Sequence, residues 1–154
     1  VVNSCLKYFS MTGWRLGWMI APPALRTALT RVGQNATIAA PTLSQLGAVA
    51  AFDAHEECHA NVARYARNRQ VLLDGLLAAG LDQLAPADGA FYIWARTDYL
   101  ADDSQVLCAR WLDELGIAAT PGIDFDPANG HRFSFAGYEA DVAEAVARLR
   151  DWTP

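Results

Sequence analysis

The period of the apolar positions changes several times along the chain, and each change marks an expected element. Val1 to Ser4 is a short run suited to a strand, and Leu16 to Ala21 (LGWMIA) is a second, ended by Pro22-Pro23. From Pro23 the period becomes helical. Leu25, Ala28, Leu29 and Val32 fall on one face, and proline suits a helix start. Residues 33–42 (GQNATIAAPT) read as turn, and Thr42 to Phe52 as a helix of small residues. Asp53 opens the longest periodic stretch, with Val62, Tyr65, Leu72, Leu76 and Ala79 at helical spacing and Gly80 placed to end it. At about 1.5 Å per residue such a helix is about 40 Å long.

The texture then shifts to short alternating elements. Phe91 to Ala95 (FYIWA) predicts a strand after a turn at Asp88-Gly89. Ser104 to Leu115 predicts a helix with Val106, Leu107, Trp111 and Leu115 inward, closed by Gly116. Ile117 to Thr120 predicts a strand stopped by Pro121-Gly122, and Arg132 to Ala136 (RFSFA) another. Tyr138 to Trp152 predicts a closing helix with Val142, Val146 and Leu149 on one face. Residues from about 66 onward read as a compact α+β unit, and the first 50 or so as the tail of a larger α/β layer. The long helix would bridge them. The expected domains are 1–65 and 66–154.

Composition narrows the function classes. At 154 residues, with 53% apolar and 19% charged, the chain can form a globular core. A formal charge of −5 argues against bulk attraction to nucleic acid or an anionic membrane. No apolar run approaches the roughly 20 residues of a membrane span. The three cysteines, Cys5, Cys58 and Cys108, are widely spaced and odd in number, which favours reduced thiols and a cytoplasmic setting over a disulfide framework. The opening VVNS starts in mid-pattern without an initiating methionine, so a carboxyl-terminal portion of a longer protein is expected.

Residues 55–59 read HEECH and match H-E-x-x-H, which on a helix would put His55 and His59 on one zinc-binding face. A structural account is stronger. Asp53 to Glu56 is close to a capping box, Glu56 and Glu57 suit a first turn, and the remaining histidine, His131, belongs to another strand. No metal site is expected.

Of twelve Lys and Arg residues, eleven are arginine, and the one lysine is Lys7. Arginine stays protonated and cannot serve as an amine nucleophile, whereas a lysine can lose its proton and condense with a carbonyl. Lys7 follows a strand-like run and precedes a loop, where α/β proteins place chemistry. Ser4 lies three residues before it and Arg15 eight after, so a hydroxyl and a guanidinium flank the amine. Together they could grip a phosphate. An amine beside a phosphate grip is what a pyridoxal phosphate site requires.

SCLKYFSMTGWRLG, residues 4–17, resembles the lysine signature of the class I aminotransferases, in the aspartate aminotransferase family of fold type I. That signature runs Ser-x-Ser-Lys-x-Phe-x-x-x-Gly-x-Arg-x-Gly, and Ser4, Lys7, Phe9, Gly13, Arg15 and Gly17 stand in its places. Gln45 with its small-residue helix, DGAFYIWA, TPGIDF and RFSFA continue the likeness in the family's order over nearly the whole chain. The resemblance implies the carboxyl-terminal part of a pyridoxal-phosphate enzyme: the tail of the large α/β domain, a long bridging helix and a small α+β domain. It implies Lys7 as the aldimine lysine and proton carrier, Ser4 and Arg15 as phosphate anchors, and Arg132 in RFSFA as the grip on the substrate carboxylate. It implies amino-acid and 2-oxo-acid substrates and a homodimer with active sites at the subunit boundary. Phe125 is a candidate for the site mouth or for local packing.

Two departures stand out. Leu6 replaces the serine or threonine usual before the lysine, and Cys5 replaces a common aromatic. The family's partner for the pyridine nitrogen, its ring-stacking aromatic and its tyrosine come from an earlier part of the chain, so the 154 residues alone are expected to be inactive. Two alternatives stay open: another enzyme of the same cofactor, such as a C–S lyase, decarboxylase or racemase, and a truncated, non-catalytic homologue.

Overall fold

The computed structural model describes residues 1–125 and 130–152. The chain divides into two compact units, Val1–Asn61 and Val62–Pro154.

The first unit opens with a hairpin. β1 (Val2–Ser4) pairs antiparallel with β2 (Gly17–Met19), Ser4 facing Gly17. β2 is shorter than the apolar run that announces it. α1 (Pro23–Ala36) carries Pro23 at its start and runs through the GQNA expected to be turn. Nothing there forbids helix: the next proline is Pro41, and Thr37 N–H closes the last turn on the Gly33 carbonyl. α2 (Thr42–Ala51) follows as expected. Cys5, Met11 and Ala48 form a small buried cluster, with Phe9, Leu16 and Ala51 against it. The apolar face of α1 is present, yet none of its residues is buried.

α3 (His55–Ala78) crosses the division between the units. It starts at His55, with Cys58 N–H bonded to the Ala54 carbonyl, so Asp53 stands before the cap position rather than in it. Its end matches the reading at Gly80. Gly80 has φ +83°, Leu81 N–H reaches the Leu76 carbonyl at 2.9 Å and Gly80 N–H the Leu77 carbonyl at 3.0 Å. This is a Schellman ending, in which glycine adopts the left-handed conformation at small cost.

The second unit is built on an antiparallel sheet of order β3-β5-β4, from β3 (Tyr92–Arg96), β4 (Thr120–Pro121) and β5 (Gly130–Ser134). β4 is only two residues long, so most of the strand expected over Ile117–Thr120 is irregular. β5 begins two residues earlier than RFSFA implies. Ala85 N–H and Arg96 N–H bond across to Trp94 and Gln83, and this covers the outer edge of β3. α4 (Ser104–Leu115) has the expected bounds. The Asp103 carboxylate accepts from Gln105 N–H at 2.7 Å, and Gly116 closes the helix at φ +67°. Leu107 and Trp111 point inward, but Val106 is exposed. α5 (Glu139–Arg150) buries Val142 and Leu149.

One face of this sheet and three helices enclose a single core: Leu72, Leu76, Leu81, Ile93, Ala95, Leu107, Trp111, Phe133, Phe135, Val142 and Leu149. Each fully buried Leu, Ile, Val or Phe among them contributes about 1.5–3 kcal/mol. One close approach and two buried polar groups fix the assembly. Gly75 lets α3 meet α5, since a Cβ there would lie 2.2 Å from Val146 Cγ1. The buried Asn68 donates to the Phe135 and Gly137 carbonyls at 3.0 and 3.1 Å. His131, also buried, joins Thr97 Oγ1 through Nδ1 at 2.6 Å and the Ser104 carbonyl through Nε2 at 2.9 Å. A carbonyl only accepts, so Nε2 carries the proton and Nδ1 accepts from the threonine. Burial holds the His131 pKa below its ordinary value, partly offset by the bond to Ser104.

Candidate active site

The closed end of the first hairpin gathers three of the four candidate residues. Cys5 N–H bonds to the Leu16 carbonyl at 3.0 Å, extending the ladder one step beyond Ser4–Gly17. The enclosed loop is held internally. Met11 N–H reaches the Cys5 carbonyl at 3.2 Å, Ser10 N–H the Lys7 carbonyl at 3.1 Å, and Thr12 Oγ1 the Leu6 carbonyl at 3.1 Å. A 3₁₀ turn over Thr12–Trp14 leads to Arg15. Buried Cys5 and Met11 pin the loop from beneath, which gives Cys5 a packing role. Leu6 takes part in the loop through its carbonyl, which accepts from Thr12 Oγ1.

The signature glycines differ in what they do. A Cβ on Gly17 would lie 2.9 Å from the Asn3 carbonyl oxygen, so the pairing beside Ser4 demands glycine. Gly13 has open space around its Cα, and sterics do not explain it. Ser10 and Arg15 sit at φ +54° and +51°, left-handed conformations that cost a non-glycine residue about 1–2 kcal/mol each. The loop is thus held in a specific, slightly strained shape. Trp14 lies against α2, where a Cβ on Gly47 would come within 3.0 Å of its ring.

Lys7 and Arg15 are exposed on this loop, and Ser4 is half-buried at its mouth. Arg15 makes one long bond, Nη1 to the Thr12 carbonyl at 3.5 Å, and has no carboxylate partner among the described residues. The Ser4 backbone N–H is taken by Asn3 Oδ1 at 2.8 Å, while its hydroxyl makes no bond among those residues.

Arg132, the fourth candidate, belongs to the second unit. It occupies β5 opposite Trp94 on one side and Thr120 on the other, on the sheet face away from the core. Its guanidinium carbon lies 4.2 Å from the Tyr92 ring centroid and 4.4 Å from that of Phe125. Nη2 donates to Thr120 Oγ1 at 3.4 Å, and no carboxylate partners it among the described residues. A partly buried cation with most of its donors unused is suited to a bidentate anion. Phe125, with its two readings in the sequence, stands against the guanidinium. Tyr92 was not anticipated. Its signal lay in FYIWA, whose alternation puts Tyr92 and Trp94 on the face opposite Ile93 and Ala95.

Other chemistry finds little support. His55 and His59 share a helix face, with ring centroids 6.3 Å apart, but no group of three metal-ligating side chains occurs among the described residues. All three cysteines are free. The Cys108 thiol is pushed up to about 11 by burial and then by Asp124, which suits a packing residue rather than a nucleophile. Among the described residues, no helix is long and apolar enough to cross a membrane.

Comparison with known proteins shows which family the chain is similar to. A family model described as "Aminotransferase class I and II" matches residues 1–149. A valine–pyruvate aminotransferase of Mycobacterium tuberculosis is 49% identical, over 100% of this chain and 41% of its own length. An aspartate/prephenate aminotransferase of Thermus thermophilus is 39% identical, over 96% of this chain and 39% of its own. A crystal structure of an aminotransferase from M. tuberculosis superposes with a TM-score of 0.94 at 48% identity, covering 99% of this chain and 41% of that one. The aspartate aminotransferase of T. thermophilus solved with maleate gives 0.84 at 34% identity, covering 97% and 40%. The chain therefore spans about two fifths of the length of these relatives.

Proposed function

The chain belongs to the class I and II aminotransferase family, and we propose that it supplies the cofactor anchor and the carboxylate grip of an enzyme that moves an amino group between an L-amino acid and a 2-oxo acid. In this reading residues 1–65 are the tail of a larger cofactor-binding domain, and 66–154 are the small domain. The activity, the substrates and a homodimeric assembly are proposed for the complete polypeptide.

The observation that carries the reading is the closed end of the β1–β2 hairpin. There the lone lysine shares a loop with a guanidinium that lacks a carboxylate partner, and a hydroxyl that makes no bond among the described residues stands at the loop's mouth. These groups fit pyridoxal phosphate, which offers an aldehyde to the amine and a dianion to the other two. When bound, that cofactor supplies an electron sink for bonds broken at the substrate α-carbon. Lys7 Nζ tethers it. With a substrate amine in its place, the Lys7 amine would be free to act as the general base that takes the substrate α-proton and carries it away from the α-carbon. Ser4 Oγ and the Arg15 guanidinium would hold the cofactor's phosphate through charge-assisted hydrogen bonds. Arg132 holds the α-carboxylate in the same forked manner. A carboxylate so held is retained, which favours transamination over decarboxylation.

The test is the half-reaction of the complete polypeptide with an amino acid. Valine with pyruvate is the first pair to assay, being the substrates in the name of the M. tuberculosis relative. Lys7→Arg keeps the charge and removes the titratable amine, so turnover is expected to fall by at least about 100-fold. Arg132→Lys should chiefly raise KM. A Lys7→Arg protein that still turned over near the wild-type rate would overturn the proposal.

A further inference from the structure

The surroundings of Arg132 carry one step more. Arginine has about 2 kcal/mol of side-chain rotamer entropy to lose when a ligand fixes it. Here the guanidinium is flanked by two aromatic rings at 4.2 and 4.4 Å, both well within cation–π range. Tyr92 is placed by the sheet, diagonal to Arg132 across the β3–β5 pairing. Phe125 is placed by other means. It caps the 3₁₀ turn over residues 122–124, its N–H bonded to the Gly122 carbonyl at 2.8 Å. Its ring meets Trp94 edge-on at 6.1 Å. Trp94 in turn lies where Gly130 leaves room, since a Cβ there would come within 2.5 Å of the indole. Phe125 is 53% exposed and belongs to no core cluster. Core packing does not account for an apolar ring left half in water over a cation.

We propose that Phe125 is a positioning residue for carboxylate recognition. It holds the Arg132 guanidinium against Tyr92, so the N–H edges are ordered before an anion arrives. Covering the faces of the ion leaves only its in-plane donors for a ligand, and those are the ones a carboxylate fork uses. Preordering reduces the entropy lost on binding and strengthens binding without touching the reacting atoms. This rests on the reading of Arg132 as the carboxylate grip.

The experiment compares Phe125→Ala, Phe125→Leu and Phe125→Tyr in the complete polypeptide, with Arg132→Lys as reference. Three quantities are read: KM for the amino acid, the inhibition constant of maleate, and the ¹⁵N–¹H signal of Arg132 Nε. Phe125→Ala is expected to raise KM and the maleate constant roughly fivefold while kcat stays within about twofold. The Arg132 Nε signal should lose its ring-current shift. Phe125→Leu should behave like alanine, because bulk without a ring face does not stack. Phe125→Tyr should behave like wild type. A leucine variant with wild-type affinity would overturn the proposal. So would a Phe125→Ala effect that persists in full in the Arg132→Lys background. If Arg132→Lys itself leaves KM and maleate binding unchanged, the carboxylate grip fails and the clamp fails with it. If Arg132→Lys weakens binding and Phe125→Ala does not, only the clamp fails.

Discussion

The two units of this chain handle apolar surface differently. In Val62–Pro154, helices and sheet close over an eleven-residue core with Trp111 fully buried at its centre. In Val1–Asn61, one small cluster pins the lysine loop, while the leucines and valines of α1 and α2 stay in contact with water. Leu46 and Val49 are 66% and 70% exposed. Periodicity predicted an apolar face in both units, but periodicity alone does not say whether a partner covers it. The second unit carries its own partners. The first holds its lysine loop through backbone bonds, one close glycine and three buried side chains, so its shape depends on local geometry more than on a core.

The largest effect expected from this difference is at the centre of the second unit. Trp111→Ala should cost about 3–5 kcal/mol, read by urea denaturation of the chain. A loss under about 1 kcal/mol would mean that this core does not dominate. Next comes the α3–α5 contact. Gly75→Ala should destabilise by about 1–3 kcal/mol through overlap with Val146, despite alanine's better helix propensity. In a Val146→Ala background the same change should cost clearly less, because only the contact with the residue-146 Cβ at 2.9 Å remains, and an unchanged penalty would contradict the close approach.

A smaller, pH-dependent effect follows from His131. Its folded pKa lies below the ordinary 6.5, chiefly through burial, so below pH 6.5 the unfolded chain binds a proton that the folded chain refuses. The His131 contribution to stability is therefore present above pH 6.5 and declines as pH falls toward the folded value. Urea midpoints on either side of that pH should differ more in wild type than in His131→Asn. Equal differences in the two proteins would contradict a neutral, buried imidazole. The smallest effect belongs to the first unit. Leu46→Gln and Val49→Gln should change the stability of this chain by no more than about 0.5 kcal/mol. A loss of several kcal/mol would show that those side chains are covered.

How far each feature was legible in the sequence depended on how local its cause was. α4 could be bounded from sequence because Asp103 caps one end and Gly116 terminates the other. The Schellman ending at Gly80 was equally local. β5 and β4 were misplaced because pairing register, set by distant residues, decides where those strands begin. α1 outran its expected end because no nearby proline stops it, and Val106 turned outward because two helical faces shared the same period. At the candidate site, the signature loop was readable from residue types alone. The flanking of Arg132 was only half readable. Phe125 stood out as an aromatic after a Pro-Gly turn, but placing Tyr92 beside Arg132 required the β3–β5 register.

The account as a whole rests on the amine of residue 7. The most direct measurement is borohydride reduction of the complete polypeptide with pyridoxal phosphate, followed by peptide mapping of the fixed label. The account predicts a single labelled peptide carrying the cofactor on Lys7, lost in Lys7→Arg. A label fixed stoichiometrically at any other residue, or none at all, would contradict it.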